Sequence, residues 1–246
     1  QIGLGGIRSA QEHVVAHERL RVELEILFAQ PRLSPAAGWC DVLDLPAFFF
    51  GKGADVSGES ALTLPTAERL DEWRAARSAE PLHPSPKSIS DPNSPLALHW
   101  TLFTELFASS RAATASRLRD LARRGLMTRA CCEAALRLLT PAREAPADEI
   151  ARRFWLHSAG PSWRHAIALR AALAPSAVEV EEWRGLESAI FAWPESELAW
   201  VLQPPALLSG TEVQALLGIT PGPAVGAALA RVRRAQVEGV VRLREE

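Results

Sequence analysis

Apolar residues recur along this chain at intervals of three and four rather than in alternation, the period of amphipathic helices. From Ile7 to Phe28 they fall at Ile7, Val14, Val15, Leu20, Leu24, Leu27 and Phe28, and Pro31 and Pro35 end the pattern. A short helix is predicted from Gly38 to Phe50, followed by a polar Gly/Ser-rich stretch from Gly51 to Ser60. Pro65 stands where a first helical turn tolerates it, ahead of Leu70 and Trp73. Five prolines and five serines between Ser78 and Pro95 predict a loop or linker.

Beyond it, Leu96 to Phe107 fits a buried helix carrying Trp100 and Phe103. Further helices are predicted over Ala112–Arg124, Thr128–Leu139, Ala147–His157, Ser162–Leu173, Val178–Ala192, Glu197–Gln203, Gly210–Leu216 and Pro223–Glu238. Pro141, Pro175 and Pro204 punctuate between them, and no run of alternating strands is present. The fold class predicted is all-α, with segments 1–77, 78–95 (the linker), 96–203 (a helical body) and 204–246 (a tail).

Composition adds little to this. The net charge of −2 and 48% hydrophobic residues describe an ordinary globular chain. All but two of its 27 basic residues are arginine, the exceptions being Lys52 and Lys87. A GC-rich coding sequence explains that bias as readily as phosphate binding does. Three cysteines, Cys40, Cys131 and Cys132, have neither disulfide-framework nor zinc spacing and read as buried thiols in a reducing, cytoplasmic compartment. His13 and His17, four apart, lack a third metal ligand, and nothing ties His157 or His165 to a cysteine as its base. The tryptophans, Trp155, Trp163, Trp183, Trp193 and Trp200 among them, fall mostly on apolar faces and read as core. No apolar run approaches the roughly 18 residues of a membrane span. The chain opens on Gln1 with Met127 as its only methionine, so a preceding segment is expected.

The most informative stretch runs from Leu207 to Gly239. Gly218 is placed to end one helix in a left-handed cap. Pro221-Gly222-Pro223 makes a tight turn, with Pro223 pre-set for the first turn of the next helix. Gly226 is expected to let that helix approach a neighbour closely. Two helices so joined form a hairpin of the kind that presents backbone amides to phosphates. The order Leu208, Gly210, Gly218-Ile219, Pro221-Gly222-Pro223, Ala235-Gln236, Gly239 resembles the C-terminal end of class II tRNA nucleotidyltransferases and the related poly(A) polymerases. Glu212-Val213 stands where that family has Asp-Leu.

Near the other end, Glu18-Arg19-Leu20-Arg21-Val22-Glu23-Leu24 resembles the family's neck motif, which shapes the nucleotide-selecting pocket. Ala151 to Phe154 and Trp163 to Leu169 resemble its body helices loosely. The resemblance implies an elongated array of neck, body and tail helices that positions tRNA while a separate head adds CCA or CC from CTP and ATP with Mg²⁺. Family catalysis needs Asp-x-Asp after a Gly-Ser turn to hold two metal ions. This chain has no such pattern; Asp41-Val42-Leu43-Asp44 has the wrong spacing, and the base-reading Glu-Asp-x-x-Arg motif is absent. The expected partners are therefore tRNA and a catalytic head, with neither DNA nor a membrane.

Charge is uneven along the chain. Residues 111–153 hold ten arginines against five acids, and residues 231–244 hold five against one. Such local excess suits sequence-independent contact with an A-form backbone. Candidate tRNA-binding residues are Arg117, Arg123, Arg124 and Arg129 in the body, and Arg231, Arg233, Arg234 and the amides near Gly222 in the tail. The competing expectation is a free-standing helical interaction module without an RNA role.

Overall fold

The computed structural model describes residues 18–26, 32–35, 63–78, 94–106 and 110–242. The expectations for residues 7–17, the helix at 38–50, the polar stretch at 51–60 and most of the 78–95 linker lie outside them, as do His13, His17, Cys40 and Asp41 to Asp44. Among the described residues there is no strand, and the protein is all-α. A helical stretch at 18–26 precedes α1 (Thr63–Ser78), α2 (Ser94–Leu106), α3 (Arg111–Arg123), α4 (Arg129–Leu138) and α5 (Glu149–Ala159). A short 3-10 turn, Gly160–Ser162, leads into α6 (Trp163–Leu173), α7 (Ala177–Phe191), α8 (Glu195–Leu202), α9 (Gly210–Leu217) and α10 (Pro223–Glu238). None of these described helices is long and apolar enough to cross a membrane.

The helix starts follow from capping chemistry. Ser110, Thr128, Asp148, Ser176 and Ser209 each stand one residue ahead of a helix and accept a hydrogen bond from a backbone amide of its first turn. Such caps satisfy amides that have no intrahelical partner. This is why the observed start of α4 lies a residue inside the predicted one; α6 starts a residue late because Ser162 belongs to the preceding 3-10 turn. α8 begins at Glu195, directly after Pro194, two residues before its predicted start.

Two helices organise the core. α2 is buried along its described length from Ala97 to Glu105, with Trp100 fully enclosed and edge-on to Phe103 at 6.3 Å. Its buried threonines return their hydroxyls to their own helix, Thr101 to the Ala97 carbonyl at 2.7 Å and Thr104 to that of Trp100. α6 is buried without a break from Ala166 to Ala172 and packs against α1, α2, α4, α5 and α7. Its alanines 166, 168, 171 and 172 allow that crowding, because a small side chain lets neighbouring helices approach.

The core is continuous from Leu24 and Leu33 through Ala67 and Leu70 to Val201 and Leu202. The segments preceding and following the 78–95 stretch therefore share one interior. Asp71 of α1 accepts the amides of Leu33 and Ser34 at 2.7 and 2.8 Å, tying the 32–35 turn to it. Arg69 donates to the Ala174 carbonyl at 3.0 Å, holding α1 against the end of α6.

The tail packs differently. Val213, Val225 and Val237 are buried but stand apart from the main core, and α10 rests on α5 and α8. Polar contacts fasten it. The Trp200 indole donates to the Gln236 carbonyl at 3.2 Å, and the buried Gln236 amide donates to the Pro205 carbonyl at 2.8 Å. Glu197 of α8 pairs with Arg153 of α5 and with Arg242 beyond α10, the latter at 2.9 Å.

Leu169 is fully enclosed in α6, so Leu169→Ala is expected to destabilise the protein by about 3 kcal/mol, read from urea unfolding. Glu197→Ala leaves the buried Arg153 short of its main counter-charge. It should raise hydrogen exchange in α10 far more than in α2.

Candidate nucleic-acid interface

The tail hairpin is built by its own local chemistry. Ser209 caps α9 and Glu212 completes a reciprocal capping box, its carboxylate accepting the Ser209 amide at 2.8 Å. Glu212 thus supplies an acidic capping side chain where the family has Asp. Gly218 ends α9 in the left-handed region, at φ 61° and ψ 31°, as the sequence predicted. Gly222 is extended and exposed, Pro223 opens α10, and no side chain caps this helix start. With no acid in the first turn either, the partial positive charge of a 16-residue helix meets solvent here.

Gly226 corrects an expectation. It is exposed, and a methyl group placed on it would meet nothing within 4 Å. The two helices meet at Gly210 instead, where an added methyl would make ordinary van der Waals contact with Val225 Cγ1 at 3.6 Å.

The three tail arginines have separate fates. Arg231 is exposed on the same helical face as the exposed Ala224 and Ala227, and among the described residues no hydrogen bond or ion pair engages it. Arg233 donates to the Pro204 carbonyl at 2.6 Å and so helps clamp the tail to the body. Arg234 pairs with Glu238 at 2.9 Å and lies 5.5 Å from the centre of the Phe154 ring. Small side chains at 224 and 227 leave the helix surface beside Arg231 open. Leu216 and Leu217 are also exposed, at 71% and 58%.

The body arginines do not converge on one surface. Arg123 and Arg124 both pair with Asp120, at 3.4 and 3.8 Å. Arg129 is 93% exposed and pairs with Glu133 at 2.9 Å. Arg117 is half-buried, and burial lowers its pKa. Helical periodicity sets Arg117 and Arg124 on one face of α3 and Arg123 about a third of a turn away. At the start of the chain, Glu18 and Arg19 are exposed, and Arg21 pairs with Glu25 at 3.8 Å along one helical face.

Other chemistry finds no support in the geometry. His157 is committed to the Val201 carbonyl at 2.9 Å. Cys131 and Cys132 are buried thiols, and burial raises the Cys132 pKa away from the thiolate. Among the described residues no three His, Cys, Asp or Glu side chains gather as a metal site. Trp155, Trp163 and Trp183 are buried, with the Trp155 and Trp183 rings 5.6 Å apart and tilted by 49°, so they pack the core rather than offering faces to bases. No family model, curated protein or solved structure matches the chain.

Sequence reasoning missed two residues that matter to this surface. Glu197 reads as an ordinary early-helix acid, yet it joins two helices and the tail. Arg119, on the Arg123 side of α3, is exposed and engaged by no ion pair or hydrogen bond among the described residues. Neither has a motif that could have marked it.

The two glycines separate cleanly by experiment. Gly218→Ala should cost about 1 kcal/mol because its φ is positive. Gly226→Ala should raise stability by about 0.5–1 kcal/mol, since alanine favours helix and nothing obstructs it. Thermal melts of both variants test the pair.

Proposed function

We propose that this chain is the tRNA-holding portion of a nucleotidyltransferase that adds CCA or CC to tRNA 3′ ends in the cytoplasm. The observation that carries the reading is the start of α10, which no side chain caps and which has no acid in its first turn, with Arg231 exposed further along the same helix, in the hairpin whose sequence resembles that family. Backbone amides at a helix start and an exposed guanidinium are each suited to hold a phosphate. Phosphates along an A-form stem are the ligands such a surface suits, because it holds RNA by shape and backbone rather than by base edges.

In this reading Arg123, Arg129 and Arg231 contact RNA, their surface pairs with Asp120 and Glu133 being weak enough to exchange. Arg233 and Arg234 hold the tail in place. Glu18, Arg19 and Arg21 belong to the neck beside a catalytic head. CTP, ATP and Mg²⁺ belong to that head, and no chemical step is assigned to residues of this chain.

Filter binding at low ionic strength should retain tRNA in preference to single-stranded RNA, with affinity falling steeply as salt rises. Arg231→Glu should weaken tRNA binding by about tenfold and reduce the salt slope by about 1. Arg233→Glu should lower the melting temperature instead, through lost attachment to Pro204. Equal retention of both RNAs, or none of either, would sink the proposal and favour a helical interaction module, for which the exposed Leu216 and Leu217 supply a contact patch.

A further inference from the structure

Polar ties between the tail and the body gather toward one end of α10. Trp200 of α8 donates to the Gln236 carbonyl at 3.2 Å, and the Arg234 guanidinium lies over the Phe154 ring of α5. Arg233 and Gln236 hold the carbonyls of Pro204 and Pro205, on the stretch that leads from α8 into α9. Past the helix end, Arg153 of α5, Glu197 of α8 and Arg242 form a chain of ion pairs. It lies beside Gly239, the residue that ends α10. A methyl group placed on Gly239 would lie 3.3 Å from Arg153 Nη1 and 3.7 Å from Arg242 Nη2. Two cations thus stand at the carbonyl end of the helix, where its dipole is negative.

Glu197 is the centre of this chain. Its carboxylate and the Arg153 guanidinium are nearly enclosed, whereas Arg242 is 51% exposed. One carboxylate therefore serves an inner and an outer guanidinium, the outer one 2.9 Å away. Arg153 also reaches Glu149 at 3.1 Å, but that carboxylate is 65% exposed and its pairing is weak for that reason. An enclosed charge that loses its partner is costly, so Glu197 carries most of the electrostatic attachment.

α9 is held differently. It packs chiefly against α10, and its buried Val213 lies with Val225 and Val237 outside the main core. The bonds that shape it are local: the Ser209 amide to Glu212, and the Ile219 amide to the Gln214 carbonyl at 3.2 Å. Its place on the protein therefore depends on α10, and α10 depends on the ties at its far end. Two helices with so small an apolar interior are too short to stay folded once undocked. Elements of this kind open as cooperative units, at a lower free energy than the whole protein.

We propose that α9 and α10 open from the body together, as one unit, and that Glu197 is the latch that keeps them docked. Opening uncovers Arg153 and Phe154 of α5, on which the end of α10 rests. Such an opening is a property of the tail's attachment and holds whether or not the tail grips tRNA.

The test is native-state hydrogen exchange of the full chain, read by mass spectrometry at rising urea below the unfolding transition. In the unaltered protein, amides of α9 and α10 should converge on one opening with a smaller urea dependence than that of α2 and α6. They should also exchange at least about tenfold faster than those of α2 and α6. Glu197→Gln removes the charge at nearly constant size, and Arg242→Ala removes the outer pair alone. Glu197→Gln should speed exchange by about tenfold in α9 and α10 alike, and Arg242→Ala by less. Glu181→Gln, which breaks an exposed pair on α7, controls for the loss of a surface carboxylate. α9 is the deciding element, because the ion pairs of Glu197 reach Arg153 and Arg242 and none reaches α9. Faster exchange confined to the last turn of α10 would mean that the helix end frays and no unit opens. No change in α9 and α10 beyond the control would mean that Glu197 is no latch. If a variant fails to fold by circular dichroism, the urea series on the unaltered protein still decides: exchange of α9 and α10 only together with α2 and α6 overturns the proposal.

Discussion

Enclosure of α6 on every side is the constraint from which most of this structure follows. A helix that meets five others cannot keep a polar stripe, and its alanines let those neighbours close in. Its one charged residue inside that run, Arg170, is therefore forced into the interior. Its contacts are the carbonyls of Leu138 and Pro141, where α4 ends and presents the negative end of its dipole. The same packing buries Glu105, whose carboxylate is met from the surface by the half-exposed Arg143 at 2.6 Å.

Arginine serves two purposes here that composition cannot separate. Arg69, Arg153, Arg170 and Arg233 stitch helices together through carbonyls and carboxylates. The planar, always-charged guanidinium suits this work because it makes several hydrogen bonds in fixed directions. Arg119 and Arg231 are exposed, and among the described residues no hydrogen bond or ion pair engages them. An arginine-rich stretch is thus a poor guide to an RNA surface until the structural arginines are subtracted.

The tail shows how a short motif does structural work. Gly218 takes the left-handed conformation, Pro223 starts a helix, and Gln236 reaches back to Pro205. Polar clamps rather than a shared apolar core fasten this hairpin to α5 and α8. Contacts of that kind hold an element in a set orientation while leaving most of its surface uncovered.

Helical periodicity and proline punctuation were enough to place the helices beyond the 78–95 stretch to within a residue or two, since both act over a few neighbouring positions. Ser110, Thr128 and Asp148 announce their helices in the same way anywhere. The burial of Trp100, Trp155 and Trp183 was equally legible from the faces they occupy. Gly226 was misread because a glycine in a helix has the same sequence appearance whether a neighbour approaches it or not. The sorting of arginines into clamps and free cations was not legible at all. Whether a guanidinium finds a carbonyl depends on residues far along the chain, as with Arg233 and Pro204 or Arg170 and Leu138. By itself the amino-acid order determined which segments are helical, where they stop and which faces turn inward, because those depend on local geometry and hydrophobicity. Only the tertiary structure decided which charges are spent inside the protein and which remain for a partner, because that depends on what the folded chain brings alongside each one.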